Sequence, residues 1–307
     1  MRYCLSRSTW RRDVRRAFAI ALLMLIAPRL YAQPPIAISS CETISKGGLY
    51  EVNGALVADG GDCLVISGAN VILYLNGFSI SGGGSGVGVH VLSSAPNAFI
   101  EGHEAMISNF AAGLEIDGSK DLAENFNAAH NTDAGVLLNN AKQAKLSNFT
   151  ADWNDGDGVR LYKGSYNTVA GSIDASDNAR YGIWLYGSSH NSIGGFQVIN
   201  NAVAGAYLGC STTGPGANGI ECSPKSLVSK NNSLFSGVLG ASGFGLQPYG
   251  VVIDLGGNSN RVTNMNGNAF ETSGDLVDEN PNCGTNDWFG EGEIFVTVPP
   301  SPGGCIP

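Results

Sequence analysis

Residues 131–161 read NTDAGVLLNNAKQAKLSNFTADWNDGDGVRL and contain the same short pattern twice. Asn131 stands four residues before Gly135, and Asn154 stands four residues before Gly158. Both glycines are followed by an apolar residue, a variable residue and a second apolar residue. The two copies are 23 residues apart, so this part of the chain repeats a short unit.

The same pattern extends along most of the chain. The glycines recur every 22 to 25 residues, at Gly88, Gly113, Gly135, Gly158, Gly182 and Gly205. An asparagine stands four residues before all but the first of them, at Asn109, Asn131, Asn154, Asn178 and Asn201. A further copy at Gly250 follows after 45 residues, which we interpret as about two repeat lengths. Two markers in one register predict a repeat architecture.

Each repeat encodes a short strand and no helix. The apolar residues at the first and third positions after the glycine face one side of a strand, because successive side chains alternate. A unit of this size cannot bury its apolar face alone, so neighbouring units must stack. A leucine-rich repeat has a similar length, but its characteristic frame is absent. We therefore predict an all-β fold, a parallel β-helix solenoid of about 8–10 coils with capped ends.

Equal positions in successive coils of such a solenoid form columns, about 4.8 Å apart. The repeated asparagines predict a column at a turn, where asparagine tolerates left-handed backbone and its amide bonds to the amide of the next coil. The glycine that follows permits a turn that a β-branched residue cannot make. We interpret these asparagines as structural, with ligand contact as the alternative.

The first 32 residues differ from the rest of the chain. Six arginines precede an apolar run at residues 17–27, and the small residue Ala32 precedes Gln33. This pattern predicts a secretory signal peptide at residues 1–32, and hence a secreted or periplasmic protein. A membrane anchor is the alternative, but the run is too short to span a bilayer. No later run is long enough either, so we expect no integral membrane segment in residues 33–307.

Residues 33–307 are strongly acidic. Seven of the 17 basic residues and one of the 26 acidic residues lie in the first 32, which leaves a net charge of −15. This acidity argues against nucleic acid as a partner, because phosphate contacts need clustered Lys and Arg. It also favours neutral glycans over polyuronides. All 43 glycines remain, which argues against a helical protein.

Six cysteines remain after the signal segment, an even number that is typical of exported proteins with disulfides. Six cysteines allow 15 pairings. We predict sequential pairing, as Cys41–Cys63, Cys210–Cys222 and Cys283–Cys305. The alternative, a metal site, is disfavoured because no CxxC pair is present.

We expect a single domain at residues 33–307. Residues 33–70 form an N-terminal cap and first coil in this interpretation, and residues 71–274 form the repeat coils. The segment 209–225 interrupts the repeat and is predicted to be an inserted loop. Residues 275–307 are predicted to cap the C-terminal end, since solenoids need closed ends.

Three stretches, together with the repeats between them, resemble right-handed parallel β-helix proteins of the pectin-lyase-like superfamily. They are CETISKGGLYEV at 41–52, CLVISGANVILYLNGFSISG at 63–82 and DLVDENPNCGTNDWFGEGEIF at 275–295. The resemblance is closest to secreted members with repeats of the carbohydrate-binding and sugar-hydrolysis type. It implies a right-handed solenoid and a role among polysaccharide lyases, hydrolases, epimerases or adhesins, although a fold does not fix a function.

Side chains two and four positions after the repeat glycines point away from the core. These positions predict a cluster on one outer face across three coils, formed by Arg160, Tyr162, Trp184, Tyr186 and Tyr207. Flat rings beside an arginine form a platform on which sugar rings stack. In the alternative interpretation, the 209–225 loop covers these rings, or they pair to stabilise the strands.

Several titratable residues lie near the same coils. Asn131-Thr132-Asp133 resembles the first motif of polygalacturonases, and Asp155-Gly156-Asp157 lies near the place of their second acidic pair, while their later motifs are missing. The candidate catalytic residues are Asp133, Asp155, Asp157, Arg180 and His190. The candidate Ca²⁺ ligands are Asp155, Asp157 and Asp177. The alternative is that aspartate simply suits turns.

These features predict a secreted β-helix protein that binds a polysaccharide or other glycan on an outer aromatic face. The alternative is a polysaccharide-processing enzyme, namely a lyase, glycoside hydrolase or epimerase. No intact catalytic motif is present, which favours binding. The predicted function requires no cofactor, and Ca²⁺ is the one candidate.

Overall fold

The chain forms two long parallel sheets of short strands, numbered β1 to β24 in chain order. The computed structural model describes residues 34–210, 225–240, 247–267, 274–280 and 283–289. Within these ranges the helical content is one short 3₁₀ turn, Lys225–Leu227. The predicted signal peptide lies outside the described residues. Among those described, no helix combines the length and the apolar character needed to cross a bilayer.

Fourteen of the described strands make up sheet A. They are β1 Ile36–Ile38, β3 Gly48–Val52, β4 Leu56–Val57, β6 Val71–Tyr74, β7 Ile80–Ser81, β9 Phe99–Ser108, β11 Leu122–Ala128, β13 Lys145–Thr150, β15 Thr168–Asp174, β17 Ser192–Ile199, β19 Ser233–Gly240, β21 Arg261–Thr263, β22 Asn266–Gly267 and β24 Asp287–Phe289. All pairs are parallel, because the chain crosses the sheet in the same direction on each turn.

The other ten described strands make up sheet B. They are β2 Glu42–Ile44, β5 Leu64–Ile66, β8 Val87–Val91, β10 Ala112–Ile116, β12 Ala134–Asn139, β14 Asp157–Tyr162, β16 Tyr181–Tyr186, β18 Ala204–Leu208, β20 Tyr249–Ile253 and β23 Gly274–Asp278. The chain alternates between the two sheets as it winds, which gives a solenoid of about nine turns. The predicted all-β parallel solenoid is confirmed.

The repeat register found in the sequence is the strand register of sheet B. The first apolar residue after each glycine pairs with its counterpart in the next coil. This column is formed by Val89, Leu114, Val136, Val159 and Ile183, and each is at most 1% exposed. Alternation along the strand therefore directs these side chains into the core between the sheets.

The 45 residues between the last two repeat glycines form one coil, not two. Strand β18 pairs directly with β20, with Ala206 opposite Val251. The expectation of two repeat lengths was wrong because this coil contains the extra segment around residues 209–225. An insertion at a turn lengthens the coil without shifting the strand register.

The predicted asparagine column is an uninterrupted ladder of buried amides. Asn131, Asn154 and Asn178 each donate from Nδ2 to Oδ1 of the asparagine in the next coil, at 3.0–3.1 Å. Asn201 continues the row to the amide of Gln247 at 3.2 Å. Each Oδ1 also accepts the backbone N–H of the preceding member; for example, Asn154 Oδ1 accepts the backbone N–H of Asn131 at 2.9 Å. On the turns from Asn131 to Asn201, the ladder thus satisfies buried side-chain amides and backbone N–H groups.

Asn109 differs from the prediction, because it lies outside this ladder. Its side chain is exposed, and the next residue, Phe110, occupies the ladder position and donates its backbone N–H to Asn131 Oδ1 at 3.1 Å. A second amide ladder, which the repeat analysis missed, lies at the other end of the sheet B strands. It is formed by Asn167, Asn191, Asn232, Asn260 and Asn286.

Disulfides reinforce the solenoid. The predicted Cys41–Cys63 bond is confirmed and joins the starts of β2 and β5. Cys210 and Cys283 are also disulfide-bonded. Their predicted partners, Cys222 and Cys305, lie outside the described residues, so those two pairings remain predictions.

Candidate functional site

The five side chains of the predicted platform lie on three neighbouring strands of sheet B, on its outer face. Arg160 on β14 is opposite Trp184 on β16, which is opposite Tyr207 on β18. Tyr162 is opposite Tyr186. The sequence register therefore placed these residues next to one another correctly.

Two of these rings are closed to solvent. Trp184 is 5% exposed and Tyr207 is 0% exposed. They belong to a second apolar cluster outside the main core, with Tyr181, Ala204 and Val252. Trp184 Nε1 donates to the Gly209 carbonyl at 2.9 Å, and the Tyr207 hydroxyl donates to the Asp254 carboxylate. For these two rings the structure matches the alternative interpretation, in which they stabilise the coils.

The remaining aromatic residues of this face are partly open. Tyr162 and Tyr186 stack with ring centroids 5.2 Å apart and planes 17° from parallel. Beyond the ends of these strands, Tyr166 stacks on His190 at 4.7 Å. His190 is therefore at the opposite end of β16 from Arg180, and the structure does not bring it to the other catalytic candidates.

Three of those candidates belong to one network of ion pairs around Arg160. The guanidinium of Arg160 donates to both oxygens of Asp133, at 2.6 and 2.8 Å, and to Asp157 Oδ2 at 2.6 Å. Arg180 Nε lies 3.8 Å from Asp157 Oδ1, and its guanidinium lies 4.7 Å from the centre of the Trp184 ring. The two arginines thus enclose the fully buried Asp157 carboxylate.

The electrostatics of this network indicate a structural role. Burial alone would lower the pKa of Arg160, but its hydrogen bonds to Asp133 and the charge of Asp157 outweigh burial and raise that pKa. Arg160 therefore stays charged, and both carboxylates that it contacts are paired. Asp155, the remaining acidic candidate, is exposed.

The three predicted Ca²⁺ ligands do not come together. Asp177 lies in a turn that follows sheet A, where its Oδ1 accepts a hydrogen bond from Asn200 Nδ2 at 3.0 Å. Asp155, Asp157 and Asp177 are not among the side chains whose ligand atoms lie within 4.8 Å of one another in the described part of the chain.

A groove on the outer face of sheet A is a site that the sequence analysis missed. It is an open depression with a volume of about 960 Å³. It runs across β6, β9, β11, β13 and β15, which lie side by side in five successive coils. Its lining residues are Tyr74, Phe99, Glu101, His103, Glu104, Asn125, Phe126, Asn127, Asn148, Phe149, Thr150, Ser172 and Asp174.

Left-handed residues bend the strands where they cross this groove. Glu104, Asn125 and Asn148 have φ of 64°, 57° and 52°. The pairing register shifts beside them, between Glu124 and Phe126 for example. These interruptions break the alternation of side chains, so the groove face has no simple apolar–polar pattern. A signal was nevertheless present, because an Asn-Phe pair occurs at residue 125 and again 23 residues later.

Most of the residues that line the groove are polar, and hydrogen bonds hold several of their side chains in place. Asn125 Nδ2 donates to both oxygens of Glu101, at 2.9 and 3.1 Å. Thr150 Oγ1 donates to Asn127 Oδ1 at 2.8 Å. At the end of the groove nearest β6, Tyr74 packs edge-on against Phe99, with ring centroids 6.2 Å apart. Fixed donors, acceptors and rings are the usual components of a ligand site.

At the other end of the groove, the carboxyl group of the lining residue Asp174 interacts electrostatically with that of Asp152, which is not a lining residue. Asp174 lines the groove and accepts hydrogen bonds from Ser176 Oγ at 2.5 Å and Gln197 Nε2 at 3.0 Å. Asp152 accepts the backbone N–H of Ser176 at 3.2 Å. Burial, and secondly the charge of Asp174, raise the pKa of Asp152 to about 7. The pKa of Asp152 therefore lies in the neutral range, so this carboxyl group can gain or lose a proton near pH 7.

Several solved structures are similar to this chain at low sequence identity. The enzymatically active domain of tailspike protein 2 from bacteriophage CBA120 is 13% identical, with a TM-score of 0.58 over 81% of this chain. This chain covers 43% of that domain's length. The alginate lyase of Paenibacillus sp. str. FPU-7 is 11% identical, with a TM-score of 0.44 over 83% of this chain and 99% of its own.

A mannuronan C-5 epimerase A-module (AlgE4) of Azotobacter vinelandii is 13% identical, with a TM-score of 0.44 over 84% of this chain and 88% of its own. No curated protein has a significantly similar sequence. The family model described as a right-handed beta helix region matches residues 88–266, more than half of the chain. The chain therefore belongs to the right-handed beta helix family.

Proposed function

We propose that this protein is exported and binds a linear polysaccharide or other glycan in the groove on sheet A. The observation that carries the proposal is the polar lining, which continues over five successive coils. Export is inferred from the basic and apolar start of the chain. The fold itself does not decide the ligand, so the proposal rests on the groove.

The groove matches the shape of an extended sugar chain. Adjacent coils are about 4.8 Å apart, so five strands span about 19 Å along the solenoid axis. Sugar hydroxyls both donate and accept hydrogen bonds, as the amides of Asn127 and Asn148 and the hydroxyls of Thr150 and Ser172 also do. The ring of Tyr74 at one end offers a flat apolar face for a sugar ring.

The charge of the groove selects among glycans. Glu101, Glu104 and Asp174 line it, and His103 is the basic side chain among the lining residues. The chain as a whole is also acidic, with a net charge of −9. A polyuronide would be repelled by this surface, so the preferred ligand is a neutral glycan.

The partly open pair of Tyr162 and Tyr186 is the second candidate surface. It retains the stacking geometry predicted from the sequence, but the buried Trp184 and Tyr207 are unavailable to a ligand without rearrangement. A glycan that binds there would be expected to lose affinity when Tyr186 is removed.

The carboxyl pair of Asp152 and Asp174 favours a second function, cleavage of the bound glycan. General acid–base catalysis needs one protonated and one ionised carboxyl near the bond that breaks. Asp152 has its pKa raised to about 7, and its neighbour Asp174 lines the groove. The reaction would be that of a glycoside hydrolase, lyase or epimerase.

A panel of neutral and anionic polysaccharides separates these possibilities. We expect the protein to bind a neutral glycan, and Asn127→Ala to weaken binding about tenfold because it removes hydrogen bonds worth about 1.4 kcal/mol. Tyr186→Ala and the distant, exposed Asn258→Ala should bind as the parent does. The measurement is calorimetric titration of each variant.

Three results would change this account. Binding that survives Asn127→Ala but is lost in Tyr186→Ala would move the site to sheet B. Release of new chain ends by the parent, and its loss in Asp174→Asn, would establish an enzyme. Absence of binding to every glycan in the panel would contradict the proposal.

A further inference from the structure

His90, Glu115 and Asp117 form a compact group on the outer face of sheet B, away from the groove. His90 on β8 is directly opposite Glu115 on β10, and Asp117 follows the end of β10. One ligand atom from each side chain lies within 4.8 Å of the others. Among the described residues this is the one set of three acidic, His or Cys side chains with that property.

The imidazole of His90 is held in a fixed orientation. Its Nδ1 lies 2.8 Å from Asp62 Oδ2, and its Nε2 lies 3.3 Å from Asp117 Oδ2. Asp62 is itself anchored, because its Oδ1 accepts the backbone N–H of Val87 at 2.9 Å. When Nδ1–H donates to Asp62, Nε2 presents its lone pair to the two other carboxylates. A carboxylate behind a histidine in this way is the usual support for a metal ligand.

An unsatisfied oxygen is a second, independent indication of a cation site. Asp117 Oδ1 is buried and has no hydrogen-bond partner. A buried carboxylate oxygen without a donor is costly, and buried polar atoms are rarely left so. The third carboxylate is oriented as well, since Glu115 Oε1 accepts a hydrogen bond from Asn139 Nδ2 at 3.1 Å.

The local charge balance also favours a cation. Asp62, Glu115 and Asp117 bring three carboxylates to one imidazole, which neutralises one of them at most. A divalent ion held by the neutral imidazole would offset two of the three negative charges. One imidazole nitrogen with two carboxylates suits a transition metal such as Zn²⁺, whereas Ca²⁺ takes oxygen ligands only.

We infer that His90, Glu115 and Asp117 bind a divalent transition-metal ion, with Zn²⁺ as the best fit, and that Asp62 orients His90 for it. The three ligands leave a coordination position open for water. The ion ties β8 to β10, one coil beyond the Cys41–Cys63 bond, and Asp62 is next to that disulfide in sequence. The site therefore stabilises the first coils of the solenoid.

Calorimetric titration of tag-free, chelator-treated protein with ZnCl₂ tests this inference. We expect one ion per chain, and an increase of the thermal midpoint on binding. His90→Asn should weaken binding at least about 100-fold, and Asp62→Asn about 10- to 100-fold, the range seen when a supporting carboxylate is lost. His190→Asn, a matched change at an exposed histidine, should bind as the parent does.

A protonated His90 that bridges Asp62 and Asp117 would need no metal. In that case the parent would not bind Zn²⁺ stoichiometrically, which would overturn the inference. Equal affinity in the parent and in His90→Asn would overturn it too. Asp117→Asn is a second test variant in case His90→Asn does not fold, because it preserves the shape of the side chain. It should also lose Zn²⁺ binding.

Discussion

Replacing Asn154 with alanine is expected to destabilise the folded protein by about 3 kcal/mol, because it opens the amide ladder in the middle of the solenoid. Asn154 is 2% exposed. Its Oδ1 accepts from the backbone and side-chain N–H groups of Asn131, and its Nδ2 donates to Asn178 Oδ1 and to the Ala128 carbonyl. Alanine would leave several of these buried groups without a partner.

Thermal or guanidinium unfolding of the two proteins measures this cost. A loss of about 3 kcal/mol corresponds to a decrease of roughly 6–12 °C in Tm for a chain of this size. Asn258→Ala is the matched control, since Asn258 is exposed and makes one local hydrogen bond. Equal midpoints for Asn154→Ala and Asn258→Ala would show that the ladder does not hold the coils together.

Replacing Arg160 with methionine is expected to cost about 3–5 kcal/mol, because it leaves the Asp157 carboxylate buried beside Arg180 alone. Asp157 is 0% exposed, and Arg160 Nε donates to it at 2.6 Å. Methionine keeps much of the length and apolar character of the arginine side chain. The loss of stability therefore reports the removal of the ion pair between Arg160 and Asp157. Chemical denaturation of the variant measures this loss.

Two further variants identify the cause of this loss. Arg261→Met removes an exposed arginine that lies over the Phe289 ring, so it should cost less than about 1 kcal/mol. Asp157→Asn combined with Arg160→Met should recover stability relative to Arg160→Met alone, because an uncharged amide is less costly to bury. If the double variant is no more stable, unpaired charge is not the reason.

The sequence was sufficient for the solenoid because every coil repeats its constraints in the same register. A glycine, two inward apolar residues and an asparagine recur at one spacing, and the strand pairing of sheet B follows that spacing. The second ladder had a comparable signal, an asparagine two residues before an apolar residue, at Asn167, Asn191 and Asn232. The glycine repeat does not reveal this ladder, because the glycines mark only sheet B.

Exposure was harder to predict than register. The pattern of β16 and β18 correctly directs Trp184 and Tyr207 away from the main core, but it does not show whether something covers them. Tyr207, for example, donates its hydroxyl to Asp254, which is distant in sequence and follows strand β20. An outward-facing side chain is therefore exposed to solvent only where no other residues pack over it.

The groove on sheet A shows a second limit of prediction from the sequence. It arises where left-handed residues such as Glu104 and Asn148 bend sheet A, and those residues interrupt the alternation on which strand prediction depends. The groove is also built from side chains of five coils, so no single stretch of sequence contains it. The predicted acidic candidates Asp133 and Asp157 instead proved to be partners of Arg160.

The central claim is that a glycan binds on sheet A, and a crystal structure of the protein with an oligosaccharide from the best ligand tests it most directly. We expect the sugar to lie along the solenoid axis, with hydroxyls at hydrogen-bond distance, about 3 Å, from Asn127, Thr150 or Asp174. A sugar bound instead against Tyr162 and Tyr186 on sheet B would contradict the claim.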